Sequence, residues 1–136
     1  MKKKILVVVA NYYNDISKEL TIRSKKLLIE HRVTSNLIKV PGVFEIPVVI
    51  AKNIKKYDGF IALGCVIKGE TPHFDFISQT VTDAIMQLSI DYKKPIGNGI
   101  ITCLNKDQAD VRATKKGQEA TNAVISVLNI KISKQY

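Results

Sequence analysis

Residues 64–75, with the sequence GCVIKGETPHFD, combine the residue types of an anion site with a histidine. The segment leaves an apolar run, turns at Gly69 and enters a predicted helix at His73. Free amides at a helix N-terminus bind anions, and residues 69–71 can hold a phosphate although they lack the spacing of a P-loop. A histidine beside them is suited to proton transfer near neutral pH. This pattern favours an enzyme that acts on a phosphorylated small molecule. The alternative is an ordinary helix N-terminus capped by Thr71 or Asp75.

Three other side chains are candidates for ligand contacts, and each has a structural alternative. Tyr12 follows the first apolar run and could stack on a heterocycle, or it could be half-buried against the next helix. Glu45, in an apolar segment between two prolines, could contact a ligand or stabilise a helix N-terminus. Arg112 could bind a phosphate with two hydrogen bonds or remain a solvated helix charge. The second histidine, His31, precedes Arg32 and is predicted to end a helix.

The elements that position these residues alternate between strand and helix. Predicted strands cover residues 4–9, 35–40, 59–67 and 99–104, with a break at residues 95–97. Predicted helices run from a cap at Asp15 or Ser17 to residue 31, and over residues 46–56, 74–92 and 107–130, the last with a kink near Gly117. This α/β order predicts a three-layer α/β/α sandwich with a four-stranded parallel sheet, flavodoxin-like, in the order 2-1-3-4. Ligands bind beyond the carboxyl ends of such strands, where residues 11–13, 43–45, 67–73 and 105–112 are expected to meet.

Composition predicts one globular domain, residues 1–136, because the chain is 46% hydrophobic and 24% charged. No apolar run approaches the roughly 20 residues that cross a bilayer, and the run at residues 5–10 is too short for a signal peptide, so we expect a cytoplasmic protein with no membrane partner. Cys65 and Cys103 are expected to be small buried side chains, and no metal-ligand spacing is present. The net charge of +9 comes from scattered lysines, which favours a surface that attracts anionic substrates over nucleic-acid binding.

Four motifs of this chain resemble the 6,7-dimethyl-8-ribityllumazine synthase family in order and spacing over nearly the whole sequence. They are PGVFEIP at residues 41–47, LGCVIKGET followed by HFD at residues 63–71 and 73–75, Gln108-Ala109 with Arg112, and KGQEA at residues 116–120. The first two motifs together are highly specific. The resemblance implies the penultimate step of riboflavin biosynthesis, in which 5-amino-6-(D-ribitylamino)uracil condenses with 3,4-dihydroxy-2-butanone 4-phosphate and phosphate is released. It implies a transferase that needs neither a metal nor an organic cofactor.

The resemblance also implies roles for individual residues. His73 would transfer protons, while Glu70, Thr71 and Arg112 would bind the phosphate of the butanone substrate. The pyrimidine and its ribityl chain would be held by Tyr12, Val43, Phe44, Glu45, Cys65, Val66, Ile67 and, from a neighbouring subunit, Asn98.

The sequence departs from the family pattern at several positions. Many members have Arg-Phe at the position of Asn11-Tyr12, Arg at the position of Lys68, and Phe at the position of Asn98. This chain also lacks about one helical turn, with a glycine-rich kink, between Arg112 and Lys116, and it lacks a longer leading segment. Both features accompany icosahedral shells in the family, so we expect a homopentamer rather than a 60-chain shell. Riboflavin synthase is the candidate protein partner.

Two other classes of function compete with this one. A flavin or lumazine carrier on the same scaffold would need neither proton transfer nor a phosphate clamp, so the presence of His73 and Arg112 argues against it. A basic nucleic-acid-binding module would bind oligonucleotides in a salt-sensitive way.

Overall fold

The computed structural model describes residues 3–69, 73–129, 131 and 133. Strands and helices alternate along the chain. They are β1 (Lys4–Ala10), α1 (Asn14–Glu30), β2 (Thr34–Val40), a 3-10 turn (Val43–Glu45), α2 (Ile46–Asn53), β3 (Gly59–Ile67), α3 (Phe74–Tyr92), β4 (Ile96–Cys103) and α4 (Lys106–Leu128). All pairings in the sheet are parallel, and the strand order is β2-β1-β3-β4. The predicted fold class and strand order are confirmed.

The sheet is covered on both faces, which is why its central strands are almost continuously apolar. Alternate residues of β1 enter two separate core clusters, with Ile5 in one and Leu6 in the other. The first cluster packs the sheet against α1 and α4, and the second packs it against α2, α3 and the 3-10 turn. Every residue of β3 is buried, so this strand forms the centre of the molecule.

The predicted start of β4 at residue 99 is wrong, since the strand begins at Ile96. Residues 95–97 were interpreted as a break because Pro and Gly punctuate chains. In the fold, Gly97 serves close packing instead, because a Cβ atom there would collide with the carbonyl oxygen of Ala120 on α4. Gly99 is equally enclosed, with Leu63 Cδ2 2.5 Å from the position of its Cβ. These glycines bring α4 against β4.

The predicted cap of α1 is wrong, and of the two alternative caps of α3 one lies outside the described residues and the other is not found. Tyr13 is the N-cap of α1 and makes no capping bond through its side chain. Ser17 instead donates its hydroxyl to the carbonyl oxygen of Ala10 at 2.5 Å, which ties α1 to the end of β1. At α3 the N-cap is His73, again without a side-chain bond, so Asp75 does not cap this helix. His31 is the C-cap of α1, as predicted.

Two helix lengths differ from expectation. The second helix ends at Asn53 rather than residue 56 and is preceded by the 3-10 turn. The last helix is continuous through Gly117, where a kink was predicted. Gly117 lies where α1 and α4 cross, and a Cβ atom on it would be 2.6 Å from the carbonyl oxygen of Leu20.

The carboxyl end of the sheet contains a gap between β1 and β3. Pairing of β1 with β3 ends at Val9 and Leu63, whereas pairing of β3 with β4 continues to Ile67 and Cys103. The chain order reverses between these two strands, since β2 lies to one side and β4 to the other. Such a reversal is the usual ligand crevice of a doubly wound sheet.

None of the helices formed by the described residues is long and apolar enough to cross a membrane. Within the described part of the chain, no three His, Cys, Asp or Glu side chains come close enough together to hold a metal ion.

Candidate active site

A cleft of about 160 Å³ opens where β1 and β3 diverge. Eight residues line it: Tyr12, Tyr13, Gly42, Val43, Phe44, Cys65, Val66 and Ile77. They come from the turn after β1, the 3-10 turn, the end of β3 and the first turn of α3. Five of them were singled out from the sequence as pyrimidine contacts, so the fold brings most of that predicted set to one cleft.

Tyr12 presents its aromatic ring to this cleft with little cover. The residue is 66% exposed, so the alternative of a half-buried ring against the next helix is wrong. Its neighbour Tyr13 takes the packing role, because Tyr13 contacts the core cluster that includes α1 and α4. The two rings meet edge to face, with centroids 4.9 Å apart and planes at 82°. An edge-to-face contact covers at most one face of the Tyr12 ring, so a face remains available for stacking.

The 3-10 turn is closed by its own glutamate. Glu45 Oε1 accepts a hydrogen bond from the Gly42 amide at 3.0 Å, and the Glu45 amide donates to the Gly42 carbonyl at 3.2 Å. Val43 points inward and is buried, whereas Phe44 is 57% exposed. The carboxylate of Glu45 is therefore engaged in holding the turn, in agreement with the structural alternative for this residue. The 3-10 turn in this way positions Phe44 at the mouth of the cleft.

The backbone at the end of β3 is directed toward the cleft. The amide of Phe60 donates to Pro95 and that of Lys68 to Cys103, so the even-numbered amides of this strand point to β4. Alternation then directs the backbone groups of Cys65 and Ile67 to the β1 side, where β1 is ending. Amides and carbonyls in this position can hydrogen-bond to the polar edge of a flat ligand.

The thiol of Cys65 is unsuited to act as a nucleophile. Burial raises its pKa to about 12, and the neighbouring Cys103 adds to the increase. The side chain therefore remains protonated at neutral pH. A protonated thiol is a poor nucleophile, because only the thiolate is reactive. Both cysteines are buried and free, as predicted from their apolar surroundings. Any ligand contact of Cys65 is therefore made through its backbone or through the apolar surface of its side chain.

His73 and Arg112 lie at the same end of the sheet as the cleft. His73 begins α3 and is exposed, and its carbonyl oxygen accepts a bond from the Ile77 amide at 2.8 Å. Arg112 is also exposed, and its Nη1 donates to the carbonyl oxygen of Thr102 at 2.9 Å. This bond holds the guanidinium beside the end of β4. Glu70 and Thr71 lie outside the described residues.

Asn98 is not brought to the cleft within the chain. It pairs with Ala62, five positions before Ile67 along β3, which separates it from the carboxyl end by about 16 Å. It lies exposed on the edge strand β4, and its Oδ1 accepts a bond from the Ile100 amide at 3.1 Å. A contribution of Asn98 to the cleft would have to come from another copy of the chain.

An ion pair joins two of the helices that flank the site. Lys106 Nζ lies 2.9 Å from Asp15 Oδ2 and 3.5 Å from Asp110 Oδ1, linking the first turns of α1 and α4. The hydrogen bond from Lys106 lowers the pKa of Asp15, and the same bond raises the pKa of Lys106. These groups are exposed to solvent, so the pair is weak, but it lies between the Tyr12 turn and the helix that carries Arg112.

The N-terminus of α4 is fixed by two further bonds. Asn105 Oδ1 accepts from the Gln108 amide at 2.9 Å as the helix cap, and Gln108 Oε1 accepts from the Leu104 amide at 2.8 Å. Sequence reasoning assigned no role in the site to Lys106, Gly42 or Ile77. Ile77 lies in the first turn of α3, and only the fold reveals that this turn reaches the cleft.

The chain is similar to one protein family over almost its entire length. The family model described as 6,7-dimethyl-8-ribityllumazine synthase matches residues 2–131. A relative of that name from Agrobacterium fabrum is 39% identical over 141 residues, covering 96% of this chain and 95% of the relative. Another from Bartonella bacilliformis is 40% identical over 135 residues, covering 93% and 89%. With a full-length family match and relatives at this identity, the chain belongs to the 6,7-dimethyl-8-ribityllumazine synthase family.

Proposed function

We propose that this chain is a transferase of riboflavin biosynthesis that makes 6,7-dimethyl-8-ribityllumazine. It condenses 5-amino-6-(D-ribitylamino)uracil with 3,4-dihydroxy-2-butanone 4-phosphate and releases inorganic phosphate. The observation that carries the proposal is the cleft at the β1–β3 gap, because Tyr12, Val43, Phe44, Cys65 and Val66 line it together. A small apolar cleft with an exposed aromatic ring and strand-end backbone groups suits a flat, polar-edged heterocycle.

The pyrimidine occupies the cleft in this proposal. Tyr12 stacks on the ring, backbone groups of Cys65 and Ile67 bind its polar edge, and Val66 contacts it as part of the cleft wall. Val43 and Phe44 cover the opposite side, and Glu45 accepts hydrogen bonds from ribityl hydroxyls. Glu45 Oε1 already accepts a hydrogen bond from the Gly42 amide, so the other carboxylate oxygen accepts most of the hydrogen bonds from the ribityl chain.

The butanone phosphate binds toward the N-terminus of α3. Glu70 and Thr71, chiefly through their amides, and Arg112 through its guanidinium, hold the phosphate. Arg112 is exposed and fixed by a bond to Thr102, which leaves donors of its five N–H groups for a ligand. This placement brings the ketone carbon of the phosphate substrate to the 5-amino group of the pyrimidine.

The reaction then needs proton transfers more than covalent catalysis. The amine attacks the ketone and water leaves, which gives an imine. Phosphate is eliminated next, and the ribitylamino nitrogen closes the second ring with loss of another water. His73, at the start of α3 and exposed to solvent, moves protons between these groups. No step of this sequence transfers electrons to a cofactor or requires a metal ion.

The assembly is part of the proposal. The chain acts as one domain, residues 1–136, in a cytoplasmic homopentamer, in which Asn98 of one subunit completes the cleft of its neighbour. The position of Asn98 on an exposed edge strand supports this, since a residue there is accessible to another copy. Riboflavin synthase, which would consume the product, is the proposed protein partner. Nucleic acid and membranes are not partners in this proposal.

One assay tests the central claim. The purified protein is mixed with the two substrates, and formation of the lumazine is followed by its absorbance, with phosphate release measured in parallel. Equal amounts of lumazine and phosphate are expected. If the protein binds flavin or lumazine but forms neither product, the carrier alternative replaces the enzyme.

A further inference from the structure

Gly64 occupies the one point of β3 where the strand, the end of β1 and the 3-10 turn meet. A Cβ atom built on Gly64 would lie 2.7 Å from Val43 Cγ1, 3.2 Å from Ala10 Cβ and 3.9 Å from Ile46 Cδ1. Its φ is not in the left-handed region, unlike that of Gly69 at +88°. Space, rather than backbone conformation, therefore restricts this position to glycine.

The backbone of the two strands and the side chain of Val43 differ in how far they can move. Gly64 is paired with Ile100 in the centre of the sheet, and Ala10 is the last residue of β1, so both are fixed by ladder hydrogen bonds. Val43 is buried and β-branched, which restricts its rotation. An added methyl group at residue 64 would therefore push Val43 away from the sheet.

The turn that carries Val43 would move as a unit. The bonds between Gly42 and Glu45 close it at both ends, and α2 begins immediately after it at Ile46, which is fully buried. A displacement of Val43 is therefore transmitted to Phe44 and Glu45. Both residues belong to the pyrimidine side of the site, whereas Arg112 and His73 lie on other elements.

We propose that Gly64 is a positioning residue that seats the 3-10 turn against the sheet and thereby sets the width of the pyrimidine side of the cleft. It touches no substrate and acts through Val43. The consequence for catalysis rests on the proposed function, since it assumes that the pyrimidine binds in this cleft. The effect of Gly64 on the position of the 3-10 turn does not depend on the proposed function.

Gly64→Ala is the test variant, and Gly59→Ala is its matched control. Gly59 is the first residue of the same strand, and a Cβ atom there would lie 2.8 Å from Val124 Cγ1 and 3.4 Å from Pro95 Cγ, at the end of β3 away from the cleft. Both changes force a methyl group against a valine, which commonly destabilises a core. Only Gly64→Ala is expected to raise the KM for 5-amino-6-(D-ribitylamino)uracil, by about tenfold, with a change below about threefold for the butanone phosphate.

A second variant separates positioning from general damage. Val43→Ala removes the methyl groups that the new Cβ meets, so the double variant Gly64→Ala/Val43→Ala should have a lower pyrimidine KM than Gly64→Ala alone. Additive losses in the double variant would overturn the proposal, because independent defects add whereas a relieved clash does not. Equal changes in both KM values for Gly64→Ala, or a matching pyrimidine defect in Gly59→Ala, would overturn it as well.

Hydrogen exchange gives a readout independent of activity. The amides of Glu45 and Ile46 should exchange faster in Gly64→Ala than in the wild type, and Gly59→Ala should leave them unchanged. If the wild type forms no lumazine but this exchange difference is observed, the seating role stands and the proposed function fails. If the wild type is active and exchange at these amides is unaffected by Gly64→Ala, the seating role fails.

Discussion

At the scale of single residues, the two histidines of the chain offer a controlled comparison. His73 begins α3 at the carboxyl end of the sheet, and His31 caps the end of α1. We expect His73→Ala to lower kcat by about ten- to a thousandfold, a range around the usual contribution of acid–base catalysis. Water can carry some protons in its place, so activity should not vanish. Steady-state kinetics at saturating substrates measures the effect.

His31→Ala removes the same side chain from a helix end that has no part in the site. Its kcat should match the wild type, and circular dichroism should show that both variants are folded. An unchanged kcat in His73→Ala would rule out the proton-transfer role.

Arg112 differs from its basic neighbours by being fixed at the end of β4. Arg112→Ala should raise the KM for the butanone phosphate by about 30- to 150-fold, which corresponds to the roughly 2–3 kcal/mol of a charge-assisted contact. The KM for the pyrimidine should change much less. Lys115→Ala is the control, because it removes an equal charge from the same helix at an exposed position. Similar losses for both substrates would indicate a defect in folding or assembly instead.

Burial of the Cys65 thiol predicts that it reacts slowly with alkylating reagents in the folded protein. Its pKa rises from an ordinary value of 9.0 to about 12, so the folded state retains a proton that the unfolded state loses. The stabilising contribution is complete below pH 9 and is lost as the pH rises toward 12. At pH 8, iodoacetamide should label Cys65 far more slowly in the native protein than in 8 M urea, as measured by peptide mass spectrometry. Rapid native labelling would contradict the burial described here.

At the scale of elements, the crossing of α1 and α4 depends on the absence of a side chain at Gly117. A Cβ atom there would lie 2.6 Å from the carbonyl oxygen of Leu20, which is backbone and has little freedom to move. Buried bonds reinforce the contact, since Ser24 and Thr121 share a hydrogen bond of 2.6 Å between the helices. Gly117→Ala should therefore lower the free energy of unfolding by about 1–3 kcal/mol, measured in urea.

A control for Gly117→Ala is available on the exposed face of the same helix. Thr114→Ala changes a residue that bonds only within α4, through Val111, and should cost much less. If Gly117→Ala proves as stable as the wild type, the close approach of α1 to α4 is not what requires glycine there.

Hydrophobic periodicity predicted the elements best where burial and helix signals agree. The bounds of β3 and α3 were predicted correctly, because β3 is wholly buried and the apolar stripe of α3 is regular. The start of β4 was missed because Gly97 resembles a chain break locally, whereas contact with Ala120 on a distant helix decides its role. The cap of α1 was missed because Ser17 bonds to Ala10, again a contact outside its own helix. Tertiary packing, which local patterns do not contain, explains both errors.

The candidate site likewise contains residues that the sequence identified and contacts that only the fold reveals. The sequence analysis identified Tyr12, Val43, Phe44, Cys65 and Val66, and the fold gathers these five residues at one cleft. The motifs could not reveal that Glu45 is bonded to the Gly42 amide, or that Ile77 forms part of the wall. Both depend on the arrangement of the 3-10 turn and α3 over the end of β3.

At the scale of the whole molecule, a single chain leaves surfaces that would benefit from cover. Both β2 and β4 are edge strands, and edges are usually protected in natural proteins. On α3, Phe76, Met86 and Ile90 are 67%, 59% and 61% exposed and lie on one face of the helix, together with the hydrogen-bonded pair Gln79 and Asp83. Exposed large apolar side chains that share a face are typical of a surface that contacts another protein.

The proposed active unit is a homopentamer with sites shared between subunits, an assembly that would cover such surfaces. A shell of sixty chains is not expected, because the kink associated with shells is glycine-rich and α4 has no glycine between Arg112 and Lys116. Light scattering should give about five times the chain mass of 15.2 kDa. Met86→Glu places a charge between the exposed apolar side chains of α3 without disturbing the core, so it should shift the mass toward one chain and lower the activity per chain. A particle of about sixty chains would show that the missing glycines do not decide assembly. A fully active monomer would be the more damaging result, since Asn98 is too far from its own cleft to complete it and the shared site itself would be refuted.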